Sequence, residues 1–504
     1  MKNIFSFLPV ITLVFSTAAL SQAVNLDPAF GTGGMVIETA PEDAGYANRV
    51  LIQPDGKILI AGINSFSPMF FCIVRYNADG TRDLSFGTDG LVKTDVGEPA
   101  NDGISDMVLQ PDGKIVAMGS VFIGGNYQTV VARYNTDGSL DSGFDSDGIT
   151  YVDLGSGSDP AEAIGLQPDG KIVFAQGYYT VFSIVRLNQD GTIDLSFDTD
   201  GVLQTSFGGF GDSPFDLAMQ ADGKMVVVGN SYDVILEELL IGVARYNTDG
   251  TLDNTFSGDG QLMTQVGTGS VQINKLVIRP GGEIAVGGSV ETINNLDGLV
   301  YQFLSDGTTD LSFGAAGKTI FNYEDYTTQS MALQDDGKLV LATLMGSLDD
   351  DFVVVRLNED GALDNTFSDD GYVVVNLDDN VGSAASDVAI QSDGKIVATG
   401  GAEGSLMTIR LTEESLAGIE NQTETDRLEV FPNPTATGDF RLLLPVALAN
   451  ATVVITDVNG KIILHEDGVN GNPLFFSISD QEAGIYFVEI SSQTEVYRTK
   501  ISKN

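Results

Sequence analysis

Between residues 24 and 413, apolar and polar positions recur in a fixed order. A short apolar strand runs into a Gln-x-Asp-Gly-Lys turn, an apolar Lys-Ile-Val-x-x-Gly run returns, a variable stretch follows, and a Val-x-Arg strand ends at Asn-x-Asp-Gly. A Leu-Asp-x-x-Phe segment and a Gly-rich turn then lead into a fourth short strand. The first turn stands at 53–57, 110–114, 167–171, 220–224, 334–338 and 391–395, with a degenerate copy at 279–283, so successive starts lie 57, 57, 53, 59, 55 and 57 residues apart. Gly supplies the positive φ that such a reversal needs. Seven units of four antiparallel strands predict an all-β domain, a seven-bladed β-propeller spanning residues 24–413.

The register of the two ends favours a closed ring over an open solenoid. The segment that begins Leu26-Asp27-Pro28-Ala29-Phe30 is the third element of a unit with no second element before it. The last unit stops at Ile409-Arg410-Leu411, the second element, with no third element after it. The two fragments complement each other, and pairing them removes the exposed sheet edges that a ring must close. A solenoid would instead carry polar capping repeats.

From residue 427 the pattern changes to short strands with period-two alternation, after a polar, acidic linker at 414–426. Six or seven strands in fewer than 80 residues, with Asn459-Gly460 as a tight hairpin turn, predict a small Ig-like β-sandwich over 427–504. At the other end, residues 1–23 read as a signal peptide: Lys2, then an apolar stretch from Ile4 to Leu20, then Ser21-Gln22-Ala23, with cleavage expected between Ala23 and Val24. No other long apolar run follows, so no transmembrane segment is expected in the mature chain.

Two resemblances add to this reading. The tail resembles the type IX secretion (Por) C-terminal sorting domain of Bacteroidetes, on Phe431-Pro432-Asn433-Pro434, Gly460-Lys461, Gly484-Ile485-Tyr486 and the terminal Lys500-Ile501-Ser502-Lys503. That likeness implies Sec export followed by type IX secretion, with the type IX machinery as a partner and the cell surface or the medium as destination. The repeats resemble the delta-60 repeat family, β-propellers of secreted bacterial proteins with no assigned activity. Unit five departs most, with Arg279-Pro280-Gly281-Gly282-Glu283 in the turn and Gln302-Phe303-Leu304 in place of Arg-Tyr-Asn.

Charge and composition narrow the function classes. With 25 Lys+Arg against 70 Asp+Glu, the net charge of −45 repels nucleic acid and anionic lipid. The single Cys, Cys72, reads as a buried strand residue and permits no internal disulfide. The single His, His465, lies in the tail, so the propeller can hold no Ser-His-Asp or Cys-His machinery and no zinc site built on His or Cys.

Several residue sets remain as candidates. The arginines at 75, 133, 186, 245, 356 and 410 could ring an anion, but their recurrence reads as blade architecture, each pairing with an Asp such as Asp83, Asp141, Asp194, Asp253 or Asp364. The 135–141 turn resembles part of a calcium loop, yet Arg133 replaces its first ligand and no terminal Glu follows, so no cofactor is assigned and Ca2+ is left as an alternative. Binding specificity is expected where the units differ, in the variable loops holding Phe66, Met69 and Phe70, Tyr178, Tyr179 and Phe182, and Tyr232. These features favour a non-enzymatic module that binds an extracellular protein or glycan. A carboxylate-based glycosidase or lyase and a structural envelope protein are the alternatives.

Overall fold

The computed structural model describes residues 26–38, 46–63, 70–97, 103–124, 126–154, 161–178, 181–267, 269–292, 296–321, 327–344, 351–368, 370–375, 383–402, 405–412, 429–431, 435, 437–444, 448–457, 461–481, 484–492 and 496–503. The chain divides into two compact units, with the division between Glu413 and Glu414.

The first unit holds seven four-stranded antiparallel sheets. A first strand, β1 (Met35–Glu38), stands apart from the regular series. Blade 1 is β2 (Tyr46–Ile52), β3 (Ile58–Ile63), β4 (Phe71–Tyr76) and β5 (Leu91–Thr94); blade 2 is β6 (Gly103–Leu109), β7 (Ile115–Ile123), β8 (Asn126–Tyr134) and β9 (Ile149–Val152). Blade 3 is β10 (Ala161–Leu166), β11 (Ile172–Tyr178), β12 (Val181–Leu187) and β13 (Val202–Thr205); blade 4 is β14 (Phe210–Met219), β15 (Met225–Asp233), β16 (Glu238–Tyr246) and β17 (Gln261–Thr264). Blade 5 is β18 (Val271–Ile278), β19 (Ile284–Glu291), β20 (Leu296–Phe303) and β21 (Lys318–Phe321); blade 6 is β22 (Thr327–Leu333), β23 (Leu339–Leu344), β24 (Phe352–Leu357) and β25 (Tyr372–Val375). Blade 7 is β26 (Ser383–Ile390), β27 (Ile396–Ala402) and β28 (Ser405–Leu411), completed by β1.

Closure follows the complement of the two ends. β1 pairs antiparallel with β28, from Met35 opposite Ile409 to Glu38 opposite Leu406. Leu26 bridges Leu411, and the Asp27 N–H donates to the Arg410 carbonyl at 2.8 Å. The first strand of every blade touches the first strands of both neighbours, so these seven line the axis of a closed ring.

The core lies between blades. Each of the seven blade interfaces carries its own apolar cluster, as where Leu59 and Ile73 of blade 1 meet Ile104 and Met107 of blade 2. Middle strands such as β4 are buried on both faces, which is why their sequences read as continuous apolar runs. Successive residues serve opposite interfaces: Ile73 packs toward blade 2 and Val74 toward blade 7. Cys72 is buried in β4, as its neighbours implied. The Gln-x-Asp-Gly-Lys reversal is also as expected: the Gln53 N–H donates to the Lys57 carbonyl at 2.8 Å, and Gly56 sits at φ +83°.

The second unit is a β-sandwich. One sheet has the order β29 (Glu429–Phe431), β30 (Asp439–Leu443), β33 (Leu474–Ser477), and the other β32 (Ile462–Gly471), β31 (Leu448–Asp457), β34 (Gly484–Ser491), β35 (Val496–Lys503). Phe440, Leu442 and Phe476 of the first sheet share a core with Val453, Ile455, Val488 and Ile501 of the second.

Candidate functional site

The repeated charges resolve into a clamp. In blade 2, Arg133 Nε donates to Asp141 Oδ2 at 2.7 Å, Lys114 Nζ donates to the same oxygen at 2.9 Å, and the guanidinium lies 4.7 Å from the Phe144 ring centroid. Arg133 Nη1 also donates to the Gln189 carbonyl of the next blade. Equivalent Arg–Asp pairs at 2.7–2.8 Å join Arg75 to Asp83, Arg186 to Asp194, Arg245 to Asp253, Arg356 to Asp364 and Arg410 to Asp27. Burial alone would raise the Asp141 carboxyl. The hydrogen bonds from Lys114 and Gly143 and the Arg133 charge outweigh it and hold the pKa at about 2. The six arginines are therefore blade architecture rather than an open anion ring. The acidic turns are engaged in the same way, since Asp137 Oδ1 accepts from both the N–H and the hydroxyl of Ser139.

Blade 5 rearranges the clamp by exchanging two positions. Gln302 stands on the strand where other blades have Arg, and its Nε2 donates to Asp310 at 2.8 Å. Arg279 stands where other blades have the turn Gln. Its guanidinium reaches the Phe313 ring at 5.6 Å and donates to the Gly337 carbonyl of blade 6 at 2.8 Å. The two positions are neighbours in space, as Arg186 Nη1 donating to Gln167 Oε1 at 3.2 Å shows in blade 3. The exchange leaves Arg279 Nε and Nη2 buried without a hydrogen bond; the amide oxygen of Gln302 shares that state with those of the turn residues Gln53, Gln110 and Gln391.

A second charged set lies on the axis, and sequence reasoning did not single it out. Every first strand carries a β-bulge, at Ala47/Arg49, Ile104/Asp106, Ala161/Ala163, Pro214/Asp216, Ile273/Lys275, Thr328/Ser330 and Ala385/Asp387. A bulge sets two residues against one on the partner strand and re-aims the local side chains. The extra residue is half-buried in every blade, Glu162 among them. In β2 it is Asn48, the third residue of the strand, so the belt lies nearer the end that carries the variable loops than the Gln turn.

Three aspartates of this belt stitch neighbouring blades together. Asp106 accepts from the Ile164 N–H at 3.0 Å, Asp216 from Leu276 at 2.8 Å and Asp387 from Val50 at 2.7 Å, each across to the next blade. Their other oxygens take Arg49 Nε at 2.9 Å, Lys275 Nζ at 3.2 Å and the Ser330 hydroxyl at 2.5 Å, respectively. Burial depresses the tendency of Arg49 to stay charged, but Asp106, Asp387 and Asp216 together raise its pKa above the usual value. Burial pushes the carboxyl of Glu162 up to about 7, with the Arg49 charge opposing. Glu162 is half-buried, as the extra residue of the bulge in the first strand of blade 3. The signal that could have found this belt is a broken alternation: apolar residues at Ala47, Val50 and Ile52, or Ile104, Met107 and Leu109, are spaced three then two.

Residues 53–86, 110–144, 167–197, 220–256 and 334–367 match the family described as a domain of unknown function (DUF5122) beta-propeller, and residues 429–504 match the secretion system C-terminal sorting domain. The chain carries DUF5122 β-propeller repeats and a type IX secretion sorting tail. The tail marks it for export to the cell surface or extracellular space. The matched DUF5122 segments belong to blades 1, 2, 3, 4 and 6 and leave out blade 5, where the Arg–Gln exchange lies, and blade 7, which is split between the two ends. No curated protein matches the chain in sequence. Among solved structures it is similar to a streptogramin B lyase (13% identity, 75% of this chain and 97% of that one, TM-score 0.46). It is also similar to virginiamycin B lyase from Staphylococcus aureus (12%, 75% and 98%, TM-score 0.47) and to a family PL25 ulvan lyase (12%, 74% and 96%, TM-score 0.46).

The loop aromatics of the DUF5122 propeller fall into three groups. Phe182, expected in a binding loop, is fully buried and packs edge-on against Phe207 at 4.8 Å, because β12 already begins at Val181. Phe70, just before β4, and Tyr232, near the end of β15, are half-buried. Phe66, Met69 and Tyr179 lie outside the described residues, and for Tyr178 only the strand backbone is described.

In the tail, Tyr486 is buried in the sandwich core and Gly484 opens β34. Lys503 Nζ donates to the carbonyls of Ser479, at 2.7 Å, and Gln481, fastening the last strand to a turn. Phe431 and Lys500 lie in β29 and β35. Pro432, Asn433, Pro434 and the expected cleavage site at Ala23 and Val24 lie outside the described residues.

Proposed function

We propose that the propeller is a non-enzymatic binding module, held outside the cell, that takes an extracellular protein or glycan on the face carrying its variable loops. The observation that carries this reading is the commitment of the axial carboxylates. Asp106, Asp216 and Asp387 each spend both oxygens on a neighbouring backbone N–H and on Arg49, Lys275 or Ser330. Glycoside cleavage needs two carboxyl groups free to act on one bond, about 5–10 Å apart. The axis instead offers a rigid polar floor, which suits recognition by loops around it.

One observation favours the alternative, an extracellular carboxylate enzyme. Glu162 has a pKa near 7 and stands on the axis, as a general acid would. The readings separate in one experiment on the secreted chain, with polysaccharides and extracellular proteins offered as ligands. Binding that weakens when Tyr232 is replaced by Ala, with no shortening of any polymer, supports the module. Polymer cleavage that disappears in Glu162→Gln would establish the enzyme. A protein that neither binds nor cleaves any member of the panel would fit a structural envelope role.

A further inference from the structure

The variable stretch of blade 4 ends in an exposed apolar tip. β15 and β16 pair residue for residue, from Met225 opposite Tyr246 to Asp233 opposite Glu238, and the turn Val234-Ile235-Leu236-Glu237 joins them. The turn is held by its own backbone and by one side chain. The Glu237 N–H donates to the Asp233 carbonyl at 2.8 Å, and Asp233 Oδ1 accepts from the N–H groups of Ile235 at 2.7 Å and Leu236 at 3.0 Å. The base is tied to the loops beside it: Gln265 Nε2 donates to Glu238 Oε2 at 2.7 Å, and the Leu239 N–H to the Ser270 hydroxyl at 3.1 Å. On this fixed frame Val234, Ile235 and Leu236 are 63%, 88% and 44% exposed. Turn geometry does not ask for them. Reversals favour Gly, Asn, Asp and Ser, yet the left-handed position here, at φ +58°, is filled by Glu237. The corresponding turn of blade 2 has Gly124, at φ +64°, and Asn126. Three consecutive aliphatic side chains held in water weaken a surface unless they serve a contact.

Two features of the segment define what it meets. Its apolar side chains are all aliphatic, with no flat ring and no hydrogen-bonding group among them, so they gain only by entering an apolar pocket. A polysaccharide, hydroxylated along its length, has no such pocket, whereas a folded protein does. The charge beside the tip is of one sign: Asp233, Glu237 and Glu238 flank it, and no Lys or Arg occurs between Lys224 and Arg245. Those carboxylates repel anionic lipid headgroups and a second copy of the same tip, and they complement basic residues around a partner's pocket. We propose that this tip is the protein-binding element of the propeller: Val234, Ile235 and Leu236 enter an apolar pocket rimmed by Lys or Arg on another extracellular protein. The inference rests on the binding-module reading and narrows its ligand from protein or glycan to protein. Because the tip is ordered before binding, association forfeits little chain freedom, and a few side chains suffice to anchor it.

The test places a photo-crosslinking phenylalanine analogue at position 235 of the secreted full-length chain, with the same analogue at the exposed Leu311 position as control. The probe is the protein fraction of the culture medium of the bacterium that secretes the chain. The protein crosslinked from position 235 is identified, purified and titrated against the parent, Ile235→Asp, Leu236→Ser and Leu311→Asp. Both tip variants should melt like the parent, since they lie beyond the last paired residues, Asp233 and Glu238. Both should weaken binding, Ile235→Asp by roughly tenfold or more, while Leu311→Asp leaves it unchanged and added salt slows association of the parent. No adduct at 235, adducts shared equally by 235 and 311, or tip variants that bind like the parent overturn the proposal. So does an adduct with a second copy of the chain, or tip-dependent binding to phosphatidylcholine vesicles in place of protein. Failure of the broader reading looks different. Glycan binding that survives Ile235→Asp defeats the tip and keeps the module, whereas polymer cleavage defeats the module whatever the tip does.

Discussion

At the residue scale, the molecule is built on a carboxylate held by two cations and capped by an aromatic ring. Breaking a buried ion pair leaves an uncompensated charge, so Arg133→Ala should cost about 3 kcal/mol in urea unfolding. Arg133→Lys should rescue little, because an ammonium lacks the planar fork that stacks on Phe144 and reaches Gln189. The pH dependence follows from the lowered pKa of Asp141. A carboxyl held at about 2 in the fold, against an ordinary 3.8, stabilises above pH 3.8 and loses that contribution as pH falls toward 2. Asp141→Asn should therefore unfold at lower denaturant near neutrality, and its deficit should shrink over that acidic window.

Glu162 has the opposite sign. Its carboxyl is raised from 4.5 to about 7, so the fold loses stability as pH rises across that interval. Glu162→Gln should be more stable than the parent above pH 7, by on the order of 3 kcal/mol, and equal to it below pH 4.5. The two charged sets differ in how readily the sequence shows them. The Arg–Asp clamp was legible because the same residue types recur eight residues apart in five units, and Arg410 and Asp27 supply the sixth pair from the complementary ends. The axial belt was hidden because its position changes identity from blade to blade, from Arg49 to Asp106 to Ala163 to Lys275, and only its backbone bulge repeats.

At the element scale, the exchange in blade 5 and the closure of blade 7 carry the two departures from strict repetition. Restoring the common arrangement with Arg279→Gln and Gln302→Arg together would give the guanidinium an aspartate partner in place of nitrogens now buried without one. A double-mutant cycle should show coupling of about 1–2 kcal/mol, with each single change worse than the pair. The closing seam has a device of its own. Glu38 on β1 receives Arg82 Nε and Nη2 at 2.9 and 3.0 Å and the Tyr76 hydroxyl at 2.9 Å, where the seam between blades 1 and 2 has Tyr134 bonded to Thr94. Arg82→Ala should speed amide exchange in β1 and β28 and leave β8 and β9 unchanged. The mismatched chain ends made this closure legible, whereas the Glu38–Arg82 pair was not, since it joins residues whose contact depends on the ring being closed.

At the scale of the whole molecule, seven small interblade cores replace one large one, and a single N-terminal strand makes the last of them. The repeats specify the scaffold and the tail specifies the destination, and the proposed recognition falls to the stretches where the units differ. That division explains why fold and address could be read from one sequence while the ligand could not. The central claim is that this scaffold binds without cutting. It is tested most directly by size-exclusion chromatography with light scattering on the secreted full-length chain mixed with extracellular polysaccharides and proteins. The account predicts a complex with at least one of them in which the polymer keeps its original mass. Polymers that emerge shortened, or a panel in which no complex forms, would contradict it.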